Sequence, residues 1–352
     1  MLRVEKKEQL TNDDINEWNQ LWEKEESASF WSSYNWYIAC KETAFPSIEV
    51  WFAYQDTELV AVVSLEARRY RFVKCLMSFG QPYTDKSTIL IKKEYSNFIP
   101  DIVKNLGTKI PVILTEIEYS QCQGLLSDVT YEISSVSPYL DMSQDITQQV
   151  KKYEWNKLNR KVDNCTYNFV VYHGEEAHNN IDKVWEIEEL SNKANRGRSR
   201  FINETIKNLY RKASGSPYTM IAVLLDGDRT IACKLGFFER NKQFILHNWS
   251  YDDTYKEATP GRLILLMTLK YLITRDCKKY DFSRGESIIK SHFSKYTENN
   301  YTLIYNAGNF YLKWFKIWIK IREMHLNAKK KNSFLHKQMF KIWQFFKLGN
   351  TT

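Results

Sequence analysis

The chain has 352 residues, 43% of them hydrophobic and 26% charged, with a formal charge of +8. This composition fits a globular protein of about two domains and excludes a mainly disordered chain, and no stretch reaches the roughly 18 uninterrupted apolar residues that a membrane-crossing helix needs. The charge is segregated: residues 310–352 hold ten Lys or Arg against Glu323 alone, a net of +9, which leaves the other 309 residues at −1.

The opening MLRVEKKE carries five charged residues in eight and lacks the apolar core of a signal peptide, so a cytoplasmic location is expected. The six cysteines show neither a CxxC pair nor zinc-finger spacing to histidine, which predicts buried reduced thiols and no metal site.

In chain order, residues 13–45 read as helical, with Trp18, Leu21 and Trp22 on one face. The period then changes to strands at 48–54, 59–65 and 73–79, the last ended by Gly80 and Pro82. A helix over 96–106 stopping at Gly107 and a strand over 112–118 follow, and SPYLD at 137–141 reads as an extended crossing segment.

The second half repeats this grammar. A polar helix at 153–162, a strand at 167–172 and an amphipathic helix at 181–191 lead to a hairpin, 218–225 and 230–238, turning on Asp226-Gly227-Asp228. A strand at 244–251, a helix at 260–274 with Pro260 in its first turn and a short strand at 280–282 complete it. The recurrence of strand, turn, strand, strand near 48–79 and 218–251 predicts an internal duplication.

The stretch 247–290 is the most informative. It places a strand, a loop with one glycine, a strongly apolar helix, a second strand and then Arg284-Gly285. A helix N-terminus carries about +0.5 charge and free N–H groups, so Thr259-Pro260-Gly261-Arg262 is suited to a diphosphate. The competing reading is a simple Pro-Gly turn into a core helix.

The elements SPYLDMS, WSYDDTY, TPGRLILL and DFSRGE with Lys290, together with SFGQPYTD at 78–85, resemble the BioF2-like (CelD-like) acetyltransferases of the GNAT superfamily. The resemblance covers roughly 30–308. It implies an α/β (α+β) fold of two tandem GNAT-like domains, each a mixed sheet flanked by helices, related in outline to the FemABX peptidyltransferases. It also implies acetyl-CoA or another acyl-CoA as co-substrate, with the thioester lying where the strand before the diphosphate helix and the strand after it splay apart. The domains are placed at 1–145, 146–309 and, for a basic helical tail, 310–352.

Transfer to an amine needs a base, for which Asp281, Asp252 and Glu286 are the candidates, Asp281 first; its alternative role is to pair with Arg284. Backbone N–H groups in 248–251 suit an oxyanion, and Tyr251 suits protonation of the departing thiolate. Gly261, Arg262, Asn248 and Trp249 are assigned to the donor, and Arg284, Lys290 and His247 to the acceptor. His247 has a competing reading as a hydrogen-bonded core residue. Two departures stand out: the diphosphate signature is reduced to Gly261 and Arg262, and the family's Tyr-Lys pair reads Ile289-Lys290.

In the tail, Lys313, Lys316 and Lys320 line one edge of an otherwise aromatic and aliphatic helix. Such a segment suits an anionic membrane surface, packing on the body or pairing with a second chain, and as a further option a single-stranded nucleic acid or tRNA, although no recognised nucleic-acid module accompanies it. Three functions follow: N-acetylation of an amino sugar or related amine, lipid-linked or otherwise, in surface polysaccharide or glycoconjugate synthesis; a FemABX-like transfer from aminoacyl-tRNA to a lipid-linked cell-wall precursor; and a non-catalytic scaffold.

Overall fold

The computed structural model describes residues 1–306 apart from 71, 72, 88, 127, 128, 198 and 202, together with Gly308 and scattered positions between 311 and 324. Most of the basic tail therefore lies outside the described residues. Four strands precede the first crossover, β1 Leu2–Lys7, β2 Ile48–Gln55, β3 Glu58–Tyr70 and β4 Val73–Ser78, and the short β5 Leu90–Ile91 lies within it. Then come β6 Val112–Glu118, β7 Thr130–Asp141, β8 Asn168–His173, β9 Thr219–Asp226, β10 Arg229–Phe238, β11 Gln243–Tyr251, β12 Lys279–Asp281 and β13 Tyr296–Tyr305.

These form one mixed sheet in the order β1-β2-β3-β4-β6-β13-β7-β12-β11-β10-β9-β8, with β5 pairing β3 off the path. The predicted hairpin is β9–β10, and Gly227 turns it at φ +58°. The two halves exchange their last strands. β7, from the first half of the chain, pairs with β12, while β13, from the end of the second half, pairs with β6. Each exchange covers a strand edge that would otherwise expose unpaired N–H and C=O groups.

The predicted helix over 13–45 is three pieces, Asn12–Lys24, Phe30–Ser32 and Tyr34–Lys41, because Thr11 and Ser33 each cap a new start with their hydroxyls. The one predicted over 96–106 is a 3₁₀ turn, Lys93–Phe98, followed by Ile99–Lys104. The helix Pro260–Thr274 matches its prediction; Leu263 to Leu266, Leu269 and Leu272 are all buried, since it packs both on β9–β11 and on the helix Lys152–Asp163.

The halves share a core. Trp18, Phe30, Trp31 and Trp36 from the first meet Trp185, Tyr210, Phe237 and Ile245 from the second, with Phe30 and Phe237 stacked at 4.1 Å. Each such side chain contributes about 1.5–3 kcal/mol by leaving water. This joint holds in place the loop that follows β4.

Candidate active site

β11 and β12 run parallel but pair only at Gln243↔Lys279, Phe244↔Tyr280 and Ile245↔Asp281. Beyond that point β11 continues to Tyr251, while the chain after β12 stays with β7 through Phe282 N–H to the Pro138 carbonyl and Gly285 N–H to the Val136 carbonyl, both 2.9 Å. The strands therefore splay, as expected. A bulge deepens the divergence: Leu235 faces Asn248 and Gly236 faces Leu246, so His247 is the extra residue. Gly236 is required there, because a Cβ would collide with the Phe244 ring and the Ile245 carbonyl.

On the side of the gap that faces Pro260–Thr274 stand Lys234, Trp249, Tyr251, Gly261 and Tyr280. A Cβ on Gly261 would lie 2.9 Å from the Tyr251 ring and 3.3 Å from Trp249 Nε1. That indole N–H is buried and without a hydrogen-bond partner among the described residues. Lys234 is fully buried, donates to Tyr280 Oη at 2.9 Å and lies 4.6 Å from the Trp249 ring centre. Burial alone pushes its amine well below the ordinary lysine value.

The expected diphosphate seat is narrower than the sequence reading. Pro260 has no N–H, and the Arg262 N–H is spent on the Thr259 carbonyl at 3.0 Å, which leaves the Gly261 N–H as the donor of the first turn. Arg262 turns its guanidinium to Glu154, 2.9 Å away on Lys152–Asp163.

The opposite side of the gap is closed by the first half of the chain. Asp85 and Lys86, from the loop after β4, project across the joint and take partners of opposite sign. Asp85 Oδ2 lies 2.5 Å from His247 Nδ1, and its Oδ1 lies 3.2 Å from Arg284 Nε and 3.5 Å from Arg200. Burial opposes ionisation of Asp85, but Arg200, His247 and Arg284 overcome it and hold the carboxyl far below its usual range. Lys86 pairs with Glu118 and, at 3.0 Å, with Asp281.

These contacts revise several assignments. His247 spends its second ring nitrogen on Tyr210 Oη at 2.6 Å and is buried, which places it in the joint, as its competing reading has it. Asp281 is fully buried, paired with Lys86 and not Arg284, and receives the Ser283 N–H at 2.7 Å. Asp252 caps the turn Asp253–Ala258 through Thr254 and pairs with Arg229 at 2.6 Å; burial opposes its ionisation, yet these bonds keep its carboxyl low. Its carboxylate is thus engaged in holding the turn. Glu286 is exposed.

Asn248, assigned to the donor, points away from Gly261, toward the helix Asp182–Glu189 and Lys193. It donates to Glu188 at 3.1 Å and accepts from Lys193 at 3.0 Å. Ser250 also bonds to Glu188, a buried carboxylate on the helix Asp182–Glu189. Lys193 and Arg200 are part-exposed at the rim, and burial lowers the Lys193 amine despite Glu188 beside it.

Lys290 and Arg284 do reach the gap. Arg284 is saturated by Asp85, Gln81, Glu116 and the Pro82 carbonyl. Lys290 Nζ donates to the carbonyls of Ser283, Arg284 and Gly285 at 3.0, 3.1 and 2.8 Å. Burial pulls its amine down to about 8.

Asp85, Lys86, Glu188, Lys193, Arg200, Tyr210 and Lys234 escaped the sequence reading. Signals existed for three of them: Lys193 and Arg200 flank a run also holding Arg196 and Arg198, and Lys234 is a lone charge inside the apolar strand TIACKLGFF.

Residues 147–293 match the family model described as acetyltransferase (GNAT) domain. Among solved structures, FemX is similar at 10% identity and TM-score 0.58, covering 85% of this chain and 96% of that one. The C-terminal domain of an Agrobacterium fabrum protein described as a lysylphosphatidylglycerol synthetase gives 10% identity and TM-score 0.58, with 86% and 94% covered. L-PGS from Bacillus licheniformis gives 10% and 0.53, with 84% and 97% covered. No match was found among curated proteins.

Residues 147–293 thus match a GNAT acetyltransferase domain, and the chain as a whole shares the fold of FemX. The matched segment ends before β13, the strand exchanged into the first half.

Proposed function

We propose that the protein is an N-acyltransferase whose donor thioester lies in the gap between β11 and β12, with the acceptor amine entering from the Lys193–Arg200 side. The observation that carries this is the three-pair limit of the β11–β12 ladder, which opens a slot between an apolar, aromatic wall and a cation-rimmed cleft. The amine nitrogen attacks the thioester carbon, the C–N bond forms, the C–S bond breaks, and the thiolate takes up the proton the amine gives up. Lys290, whose three N–H groups are given to the carbonyls of Ser283, Arg284 and Gly285, fixes the loop that bounds the slot after β12. Lys193, whose amine is lowered and half-open to water, is the group suited to relay the amine's proton.

The donor is acetyl-CoA or another acyl-CoA, and the acceptor an amino sugar or related amine of a surface polysaccharide or glycoconjugate. Calorimetric titration with acetyl-CoA tests the donor. Saturable binding by the wild type that is lost in folded Gly261→Glu supports the seat beside Trp249 and Tyr251.

One observation favours a second reading: a first turn offering a single free N–H is a thin seat for a diphosphate. Wild type that ignores acetyl-CoA but transfers an amino acid from aminoacyl-tRNA would establish that reading. No helix among the described residues is long and apolar enough to cross a membrane; the basic segment 310–352 is proposed to bring the enzyme to an anionic bilayer.

A further inference from the structure

One strand away from the gap, a cavity of about 670 Å³ opens along the β7–β13 seam, lined by Tyr119, Tyr139, Tyr301, Lys279, Glu298 and Asn299 among others. Tyr139 is the cross-strand partner of Asp281, so the cavity begins beside the end of β12. Its size is that of an ordinary small-ligand site.

The lining is chemically selective. Three of the residues named are tyrosines and none is aliphatic. Tyr119 is 42% exposed and stands 5.9 Å from Tyr301, while Tyr139 is held by the stacked Tyr296 at 5.6 Å and by Lys279 at 4.6 Å from its ring centre. The hydroxyls of Tyr119, Tyr139 and Tyr301 make no hydrogen bond to a described residue. Nearby on the same seam, Tyr131 and Tyr296 are 43% and 38% exposed.

The single cation of the lining is already neutralised: Lys279 Nζ is 2.6 Å from Glu298, with Glu118 at 3.9 Å behind it. A nucleic acid needs uncompensated cations along its backbone, and this surface offers none among its described residues. An apolar ligand would find no aliphatic wall. Fixed ring faces edged by free hydroxyls, an amide and a carboxylate match a polyhydroxylated ring with an apolar C–H face.

We propose that the tyrosine cavity binds neutral sugar units of a glycan. This deepens the proposed function, on which it rests only for its biological purpose: the acceptor amine would be presented on a longer glycan and not on a free monosaccharide.

The test uses the full chain without any acyl donor, so it stands apart from the transfer reading. Chitohexaose, cellohexaose and maltohexaose are titrated calorimetrically, with a 12-nucleotide RNA alongside. The expected result is saturable binding of at least one hexasaccharide, weakened about tenfold or more by Tyr119→Ala and by Tyr139→Ala, with Tyr139→Phe retaining most of it. Absence of binding to all three sugars, or binding indifferent to both alanine variants while their melting stays cooperative, overturns the proposal. Binding of the RNA alone, lost in Tyr119→Ala, would also overturn it and reassign the surface to nucleic acid.

Discussion

Each half of the molecule contains one parallel strand pair, and the two have been put to opposite uses. In the first half β4 and β6 pair at Leu76↔Val112 and Met77↔Ile113 and then part, but the opening is stitched shut: the Thr115 N–H donates to Ser78 Oγ at 3.1 Å and Gln81 Nε2 to Thr115 Oγ1 at 3.2 Å. In the second half the corresponding opening is left between Trp249, Tyr251 and the loop held by Lys290. After β11 the chain enters a core helix; after β4 it forms a loop whose Asp85 and Lys86 reach into the other half. Where the second half leaves an opening, the first half closes its own and extends a clamp to its partner.

The sharpest way to break this comparison is to remove the clamp. Lys86→Met leaves Asp281 buried without its cation and takes from part-buried Glu118 the nearer of its two, and should lower stability by about 3–5 kcal/mol, read as a shift in the urea midpoint. Adding Asp281→Asn should recover part of that loss; losses that simply add would show that the pair does not act as a unit.

Next in size is Lys290→Met, which frees the Ser283–Gly285 loop and should lower the transfer rate on the order of 100-fold, as a misplacement of about 1 Å in a site can do. The wild-type rate should fall as pH rises through about 8, where the amine deprotonates, and the variant should lose that limb. The sign for stability is the reverse. The unfolded chain keeps this proton to the ordinary value of 10.5 while the folded chain releases it at about 8, so between these values this residue makes stability rise with pH. A pH series of melting curves that is unchanged by the substitution would remove Lys290 from this role.

A milder change tests the joint. Asp85→Asn removes the charge that Arg200, Arg284 and His247 share, and about 1–3 kcal/mol of stability should go with it, measured by the same denaturation. Smallest of all should be Arg262→Ala. Its part-exposed pair with Glu154 contributes up to about 1 kcal/mol, and donor affinity should change less than about fivefold. A large loss of acetyl-CoA binding would show that Arg262 leaves Glu154 to meet the diphosphate.

Much of the architecture was legible. The strands near 48–65, 112–118 and 218–251 and the helix 260–274 announced themselves by period, by Asp-Gly and by Pro. β13 was not read, because YTENNYTLIY begins polar and becomes apolar only where it enters the first half's core. Helix Glu204–Ser214 was also missed, although Asn203 caps it and Leu209 and Tyr210 form its buried face. At the site, Trp249 and Tyr251 could be placed at the gap because they sit on β11, Gly261 because it opens the next helix, and Lys290 because it lies on the short helix after β12.

What the sequence determined by itself was the period and the punctuation of each element, since these depend on residues a few positions apart. It thereby located the segment that opens the gap. Only the tertiary structure decided which charges meet there. The pairs Asp85–His247 and Lys86–Asp281 join residues 162 and 195 positions apart, and a buried charge takes whichever partner the packing of the two halves delivers. That is why Asp281 and Asp252, two of the three carboxylates legible as candidate bases, are held in a clamp and a cap, and why the cations at the rim came from segments the local pattern had left unmarked.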